Sequence, residues 1–325
     1  MTDQLKLPDQ YLSEPELSQT SKLMAIVALL IANIGIAFAP IFIVLSEKEL
    51  SPTATIFNRL WIGAVVLGLW KIIQIIASKF SDKPIEEPKA YDKKDVVLLL
   101  VVGIAFPLGQ ITWAWSLIQT SAAISALLHD LSPLFTSLAV WLLFGQRFDS
   151  KFIIGMFIAI GGGIAIGLQD AQIATSQLEG DAAALLSAVF YGTYLIGLEQ
   201  LRSKFSNTNS ILLISAISSL LPLIFAIFAG DRLVPYSLSG WLSVIALAVV
   251  CQVIGQGLTS YSIKRLSSGF VALFSLLIPV LTAFLAEIFF EQTLNFSTWL
   301  AFGVVLFGLY LGISSKSAVK SEALD

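Results

Sequence analysis

Ala122 to Phe144 reads AAISALLHDLSPLFTSLAVWLLF, with His129, Asp130, Leu131, Ser132 and Pro133 at its centre. An apolar run of this length reaches across the hydrocarbon core of a bilayer as a helix. A proline inside such a helix removes one N–H and crowds the carbonyl four residues back, so Pro133 frees the carbonyl of His129. Phe270 to Phe290, FVALFSLLIPVLTAFLAEIFF, repeats the arrangement: Pro279 stands 146 residues after Pro133 and frees the carbonyl of Ser275. Lipid cannot satisfy a freed carbonyl, so each break is expected to face protein or a wet cavity. Matched breaks in two halves of one membrane chain point to a ligand site near the midplane.

Composition agrees with a membrane-embedded chain. Of 325 residues, 56% are hydrophobic and 13% charged, against roughly 45–50% and about 25% in soluble proteins. One cysteine, Cys251, and one histidine, His129, exclude disulfide frameworks, Cys metal sites and all-His metal sites. No metal or cofactor is expected. The net charge of -3 gives no hint of a nucleic-acid partner. The bilayer is the partner that composition implies. Residues 1–21 are polar and acidic, unlike a positive signal n-region, and Pro40 follows the cleavage-like Ala37-Phe38-Ala39.

Runs compatible with a span are Leu23 to Leu45, Ala54 to Ala77, Val96 to Ile118, Ala122 to Phe144, Phe152 to Leu168, Ala182 to Leu198, Ile211 to Ala229, Trp241 to Ile263, Phe270 to Phe290 and Phe296 to Ile313. That makes ten. Lys and Arg in short loops stay cytoplasmic. With the N-terminus inside, 16 of the 19 basic residues fall in the inside segments and adjoining helix ends. Only Lys48 and Arg232 fall outside, and Arg59 falls within a span. One helix more or fewer would spoil this separation, so the expectation is an all-α integral membrane protein with ten transmembrane helices and both termini cytoplasmic.

The halves repeat. At an offset of 146, the stretch from Gly109 to Gly162 matches that from Gly255 to Gly308 at 12 of 54 positions, including the Gly-Gln pair, the central proline and the Thr three residues beyond it. Five helices per half is odd, so the second copy enters from the opposite side, giving two inverted five-helix repeats. The expected boundaries are an N-terminal tail at 1–21, the first repeat at 22–168, an extracytoplasmic connector at 169–180, the second repeat at 181–314 and a C-terminal tail at 315–325.

Few polar residues interrupt the spans, and each has a functional and a plainer reading. An acidic side chain at a helix centre costs about 2.5–3.5 kcal/mol on insertion scales, so Asp130 needs a partner, a proton or water. It either lines a cavity, binding a cation or cycling a proton, or forms a fixed ion pair, for which Arg59 is the candidate. Arg59 in turn either holds a substrate carboxylate or phosphate with its planar fork or snorkels to a headgroup. His129 is about 100° around the helix from Asp130 and is a proton relay or a hydrogen-bonded packing residue. Gln110 and Gln256 hold mirrored places and are either a polar lining or interhelical bonds. Tyr191 and Tyr194 lie about a turn apart within the sixth span and are candidate lining. Ser275, with Pro133 and Pro279, marks the breaks. Glu287 is a weaker candidate that lies about a turn from a span end. Gly163 with Gly167 and Gly308 with Gly312 allow close helix approach, within the chain or, as a minority reading, in a homodimer.

With Phe57-Asn58-Arg59-Leu60 in the second span, Leu-Ser-Pro133 and Leu-Ile-Pro279 at the span centres, and Gly145-Gln146 and Glu291-Gln292 at the span ends, nearly the whole chain resembles the EamA family of the drug/metabolite transporter superfamily. The resemblance implies ten helices around a cavity lined in part by the third, fourth, eighth and ninth, and outward carriage of small metabolites, amino acids or drugs. Two features depart from the pattern: Ser132 and Ile278 precede the prolines where an acid is common, and Gln146 and Gln292 stand where Glu is usual.

The expected function is secondary transport of a small polar or amphipathic metabolite, by alternating access in the cell membrane, with a proton as candidate co-substrate. No Gly-x4-Gly-Lys-Ser/Thr loop is present to draw on ATP. An intramembrane enzyme would need a nucleophile and base, and adjacent His129 and Asp130 make a poor dyad. A sensor or scaffold is the remaining alternative.

Overall fold

The computed structural model describes residues 19–79, 92–119, 125, 128–170, 178–290 and 296–315. Residues 1–18 and 316–325 of the expected tails, most of the 169–180 connector, residues 80–91, most of the first turns of the fourth span, Gln292, and the side chains of Glu287, Gly163 and Gly167 lie outside the described residues.

Among the described residues every regular element is a helix. In chain order these are α1 (Gln19–Ala37), α2 (Ala39–Ser46), α3 (Pro52–Lys79), α4 (Lys93–Gln119), α5 (Ser132–Phe144), α6 (Ser150–Asp170), α7 (Leu178–Lys204), α8 (Asn207–Ala229), α9 (Leu238–Ile263), α10 (Ser268–Phe274), α11 (Leu277–Phe290) and α12 (Phe296–Ile313). Among the described residues six helical segments are long and apolar enough to cross a bilayer: Gln19–Ser46, Pro52–Ser78, Lys93–Gln119, Leu178–Lys204, Asn207–Ala229 and Leu238–Ile263. Four more apolar segments are shorter, at Ser132–Phe144, Ser150–Gly162, Ser268–Thr282 and Trp299–Gly312. Large apolar side chains such as Val97, Leu142, Phe157 and Phe307 point outward. A surface this apolar is unsuited to water and suited to lipid.

Helices break beside Pro133, Pro279 and Pro40, whereas Pro107 and Pro222 lie inside the continuous helices α4 and α8. Before Pro133 the chain turns at Asp130 and Leu131, and α5 begins at Ser132. Before Pro279, α10 ends at Phe274 and α11 begins at Leu277. The freed carbonyl of Ser275 accepts from the backbone N–H of Ile278 at 2.8 Å, and that of Phe274 accepts from Asn33 Nδ2 at 2.8 Å. A third break lies at Phe38, where Pro40 divides an otherwise continuous first span into α1 and α2. The reading of Leu23 to Leu45 as one uninterrupted run missed it, although Pro40 acts on the carbonyl four residues back like the others. The carbonyls left at this break, those of Gly35 and Ala37, accept from Cys251 Sγ at 3.3 Å and Thr282 Oγ1 at 3.1 Å. Side chains of neighbouring helices thus supply what lipid cannot. Within α9 the helix widens to π geometry over Leu247–Gln256.

Helix neighbours follow a pattern that swapping the halves leaves unchanged. The helix α4 packs along α7 as α1 packs along α9; α3 against α8, α5 against α10 and α6 against α12 are their own counterparts. Glycine makes the tightest of these approaches possible. A methyl on Gly308 would sit 2.5 Å from the backbone N of Ala159 and 2.6 Å from the carbonyl of Gly155. The α6–α12 crossing is therefore made by Gly155 and Gly162 with Gly308, inside the chain. The equivalent residues Gly109 and Gly255 serve the α4–α7 and α1–α9 contacts, facing Phe190 and Ile36.

Each end of the bundle is tied across the halves. At one end the Glu49 carboxylate accepts from the backbone N–H groups of Tyr236 and Ser237 at 3.0 and 3.2 Å and from the Ser237 hydroxyl. At the other, Lys204 Nζ lies 2.7 Å from Asp95 and 3.6 Å from Asp92.

Candidate functional site

Between the two tied ends, the buried interior is polar in one region, centred on Arg59. Asn58 fixes α3 there: its Nδ2 donates to the carbonyls of Ala54 at 2.8 Å and Leu233 at 2.6 Å, and its Oδ1 accepts from Trp61 Nε1 at 3.1 Å. The next residue lies about 100° around the helix, so Arg59 points inward. It is 1% exposed, which excludes the snorkelling reading.

Two amides hold the guanidinium. Arg59 Nη1 donates to Gln110 Oε1 at 2.6 Å and Nε to Gln252 Oε1 at 3.2 Å. Gln252 Nε2 then donates to Ser215 Oγ at 3.0 Å. The Phe106 ring lies with its centroid 6.0 Å from the guanidinium carbon. Phe106 also stacks, tilted, on Tyr194 at 4.3 Å, and the Tyr194 hydroxyl donates to Gln256 Oε1 at 2.9 Å. The mirrored pair Gln110 and Gln256 thus enters one cluster, each amide oxygen accepting from a different side chain.

Aromatic rings carry the cluster on to the break before Pro133. Tyr194 meets Tyr191 at 5.8 Å, Tyr191 meets the His129 ring at 5.5 Å, and His129 stacks on Trp113 at 4.9 Å. His129 Nδ1 lies 2.8 Å from Ser187 Oγ. The Ser187 proton is already given to the carbonyl of Ala184, at 2.5 Å. Nδ1 therefore carries the proton and donates, leaving Nε2 as the ring's acceptor. The same bond leaves Ser187 unactivated as a nucleophile. Trp113 Nε1 is buried without a hydrogen-bond partner.

Asp130 stands at the turn itself, and Arg59 bonds to the two amides and not to Asp130. Tyr191 lies in electrostatic range of both and faces Gln256 and Ser275. Arg59, Gln110, Gln256, Tyr191, Tyr194 and His129 therefore come together. Asp130 and Ser275 border the cluster at the two breaks that Pro133 and Pro279 create. Gln252, Ser187 and Phe106 were not anticipated. Gln252 precedes Gln256 by about a turn, and Phe106 stands 146 residues before Gln252, so the repeat offset that paired the other glutamines also pairs these two contacts of Arg59.

A sealed polar cluster among interrupted helices, inside an apolar shell, defines a multi-pass membrane transporter. The model of the EamA-like transporter family matches residues 23–168 and again 178–314. The chain belongs to that family, within the drug/metabolite transporter superfamily. It is 20% identical over 300 residues to an uncharacterized transporter of Archaeoglobus fulgidus, covering 90% of this chain and 97% of that one. It is also 25% identical over 238 residues to the uncharacterized transporter YetK of Bacillus subtilis, covering 70% and 71%. A solved crystal structure shares the fold with a TM-score of 0.70 at 18% identity, covering 91% of this chain and 98% of that one.

Proposed function

We propose that this protein is a secondary transporter of the cell membrane that exports a small polar or amphipathic metabolite by alternating access. The polypeptide crosses the bilayer ten times as two inverted five-helix repeats, residues 22–168 and 181–314, with both termini cytoplasmic. The observation that carries the reading is the Arg59 cluster, a hydrogen-bonded polar core sealed between two tied ends of an apolar bundle. The helix-neighbour pattern, unchanged when the halves are exchanged, supports the inverted repeat. Substrate contacts come from Arg59, Gln110, Gln256, Tyr191 and Tyr194. His129 and Asp130, at the Pro133 break, exchange a proton, and Ser275 at the Pro279 break completes the lining. Opening one tied end while the other stays closed presents this cluster to each face in turn.

Proteoliposome flux tests the reading. A metabolite-export comparison of a deletion strain with its complemented parent supplies the substrate. Counterflow of that labelled substrate is expected in the wild type and absent in Asp130→Asn, with a change of lumenal pH during uptake. Full counterflow in Asp130→Asn would move Asp130 out of the pathway, and no counterflow in the wild type would sink the transporter reading.

A further inference from the structure

We infer that the transported species presents a carboxylate to Arg59. The inference rests on the transporter reading and names the chemistry of its substrate.

Among the described residues Arg59 is the most enclosed charge, at 1% exposure. Its partners are the neutral amide oxygens of Gln110 and Gln252 and the face of Phe106. No carboxylate of the described residues reaches salt-bridge distance of it. Among the other buried charges of the described residues, Asp95 pairs with Lys204, the Glu199 carboxylate accepts from the N–H of Ser268, and Arg202 donates to the carbonyls of Ser260 and Phe205. A buried charge with no opposite charge beside it is strongly unfavourable. An amine would relieve that by losing its proton, but a guanidinium does not deprotonate in proteins. A bound anion supplies the compensation that no described carboxylate gives at salt-bridge distance.

The surroundings also select the kind of anion. Gln110 and Gln252 occupy Nη1 and Nε, so the fork is fixed before ligand arrives, with its Nη2 edge outside these bonds. A planar carboxylate fits such an edge with parallel N–H bonds. A single fixed positive charge neutralises a monoanion completely and leaves a dianionic phosphate unbalanced. The neighbouring Tyr191, Tyr194 and Phe106 rings accommodate the remainder of an amphipathic acid.

The test uses the full chain in lipid nanodiscs and matched acid and amide probes at constant ionic strength: benzoate with benzamide, phenylalanine with phenylalaninamide, lactate with lactamide, and phenyl phosphate. Thermal unfolding is followed against probe concentration. At least one acid is expected to raise the Tm while its amide does not, with phenyl phosphate weaker than benzoate. Arg59→Lys keeps the charge and loses the fork, and its half-saturating concentration for that acid is expected to rise about ten- to a hundredfold. Arg59→Gln is expected to lose the response, and Arg59→Lys alone carries the test if Arg59→Gln does not fold. Equal stabilisation by acid and amide, an unchanged acid response in Arg59→Lys, or no response to any acid overturns the inference. Proteoliposome flux separates the two failures: uptake of a neutral or cationic solute with no acid response overturns the carboxylate alone, whereas no uptake of any class overturns the transporter reading as well.

Discussion

Glu47 shows how a single position is tuned by burial at the margin of the bundle. It follows the last turn of α2, its Oε1 is buried without a partner, and loss of solvent pushes its carboxyl up to about 7. The unfolded chain releases this proton near 4.5, so between those values the folded protein holds a proton that the unfolded one does not. Stability from this group is therefore present at low pH and lost as pH rises toward 7. Glu47→Gln is expected to leave the Tm unchanged near pH 4 and to raise it at pH 8; the same difference at both values would remove the effect from Glu47. Legibility at this scale depended on contrast. Arg59, Asp130, Gln110 and Gln256 stand out because a polar side chain in an apolar run demands a reason. The direction of Arg59 was open, since a long side chain near a helix end reaches either way, and the inward bonds to Gln110 and Gln252 decide it. Ser187 gave no signal: serine is common in membrane helices, and only its distance to His129 gives it meaning.

At the scale of elements, proline was an incomplete guide to breaks: Pro133 and Pro279 mark them, the break at Pro40 was overlooked, and Pro107 and Pro222 sit mid-run in helices that stay continuous. The π stretch of α9 has no proline and was not legible from Leu247 to Gln256. Glycine contacts were half legible: Gly308 was expected to allow a close approach, but its partners there, Gly155 and Ala159, were not, because spacing reveals a small face without saying which face it meets. The α12 helix offers a matched test. Gly308→Ala puts a methyl into the α6 backbone and is expected to cost about 1–3 kcal/mol, whereas Gly303, with open space around its Cβ direction, should gain up to about 1 kcal/mol on Gly303→Ala from helix propensity. Equal Tm values for the two variants in detergent would contradict the crossing.

For the whole molecule, the ties at the two ends set a mechanical condition. If the Glu49–Ser237 end must open in each cycle, cysteines at both positions joined by a short cleavable thiol cross-linker are expected to stop flux, and cleavage is expected to restore it. Flux that continues through the cross-link would contradict alternating access at that end. The bonds at the breaks carry a second condition. Asn33, from the first half, caps a carbonyl at the Pro279 break, while Thr282, from the second half, caps a carbonyl at the Pro40 break. Straightening either helix alone would strip a carbonyl of the other of its side-chain partner. The two kinks are laced together like opposite eyelets of one seam, so a body that moved in the proposed cycle would straddle the boundary between the halves instead of lying within either.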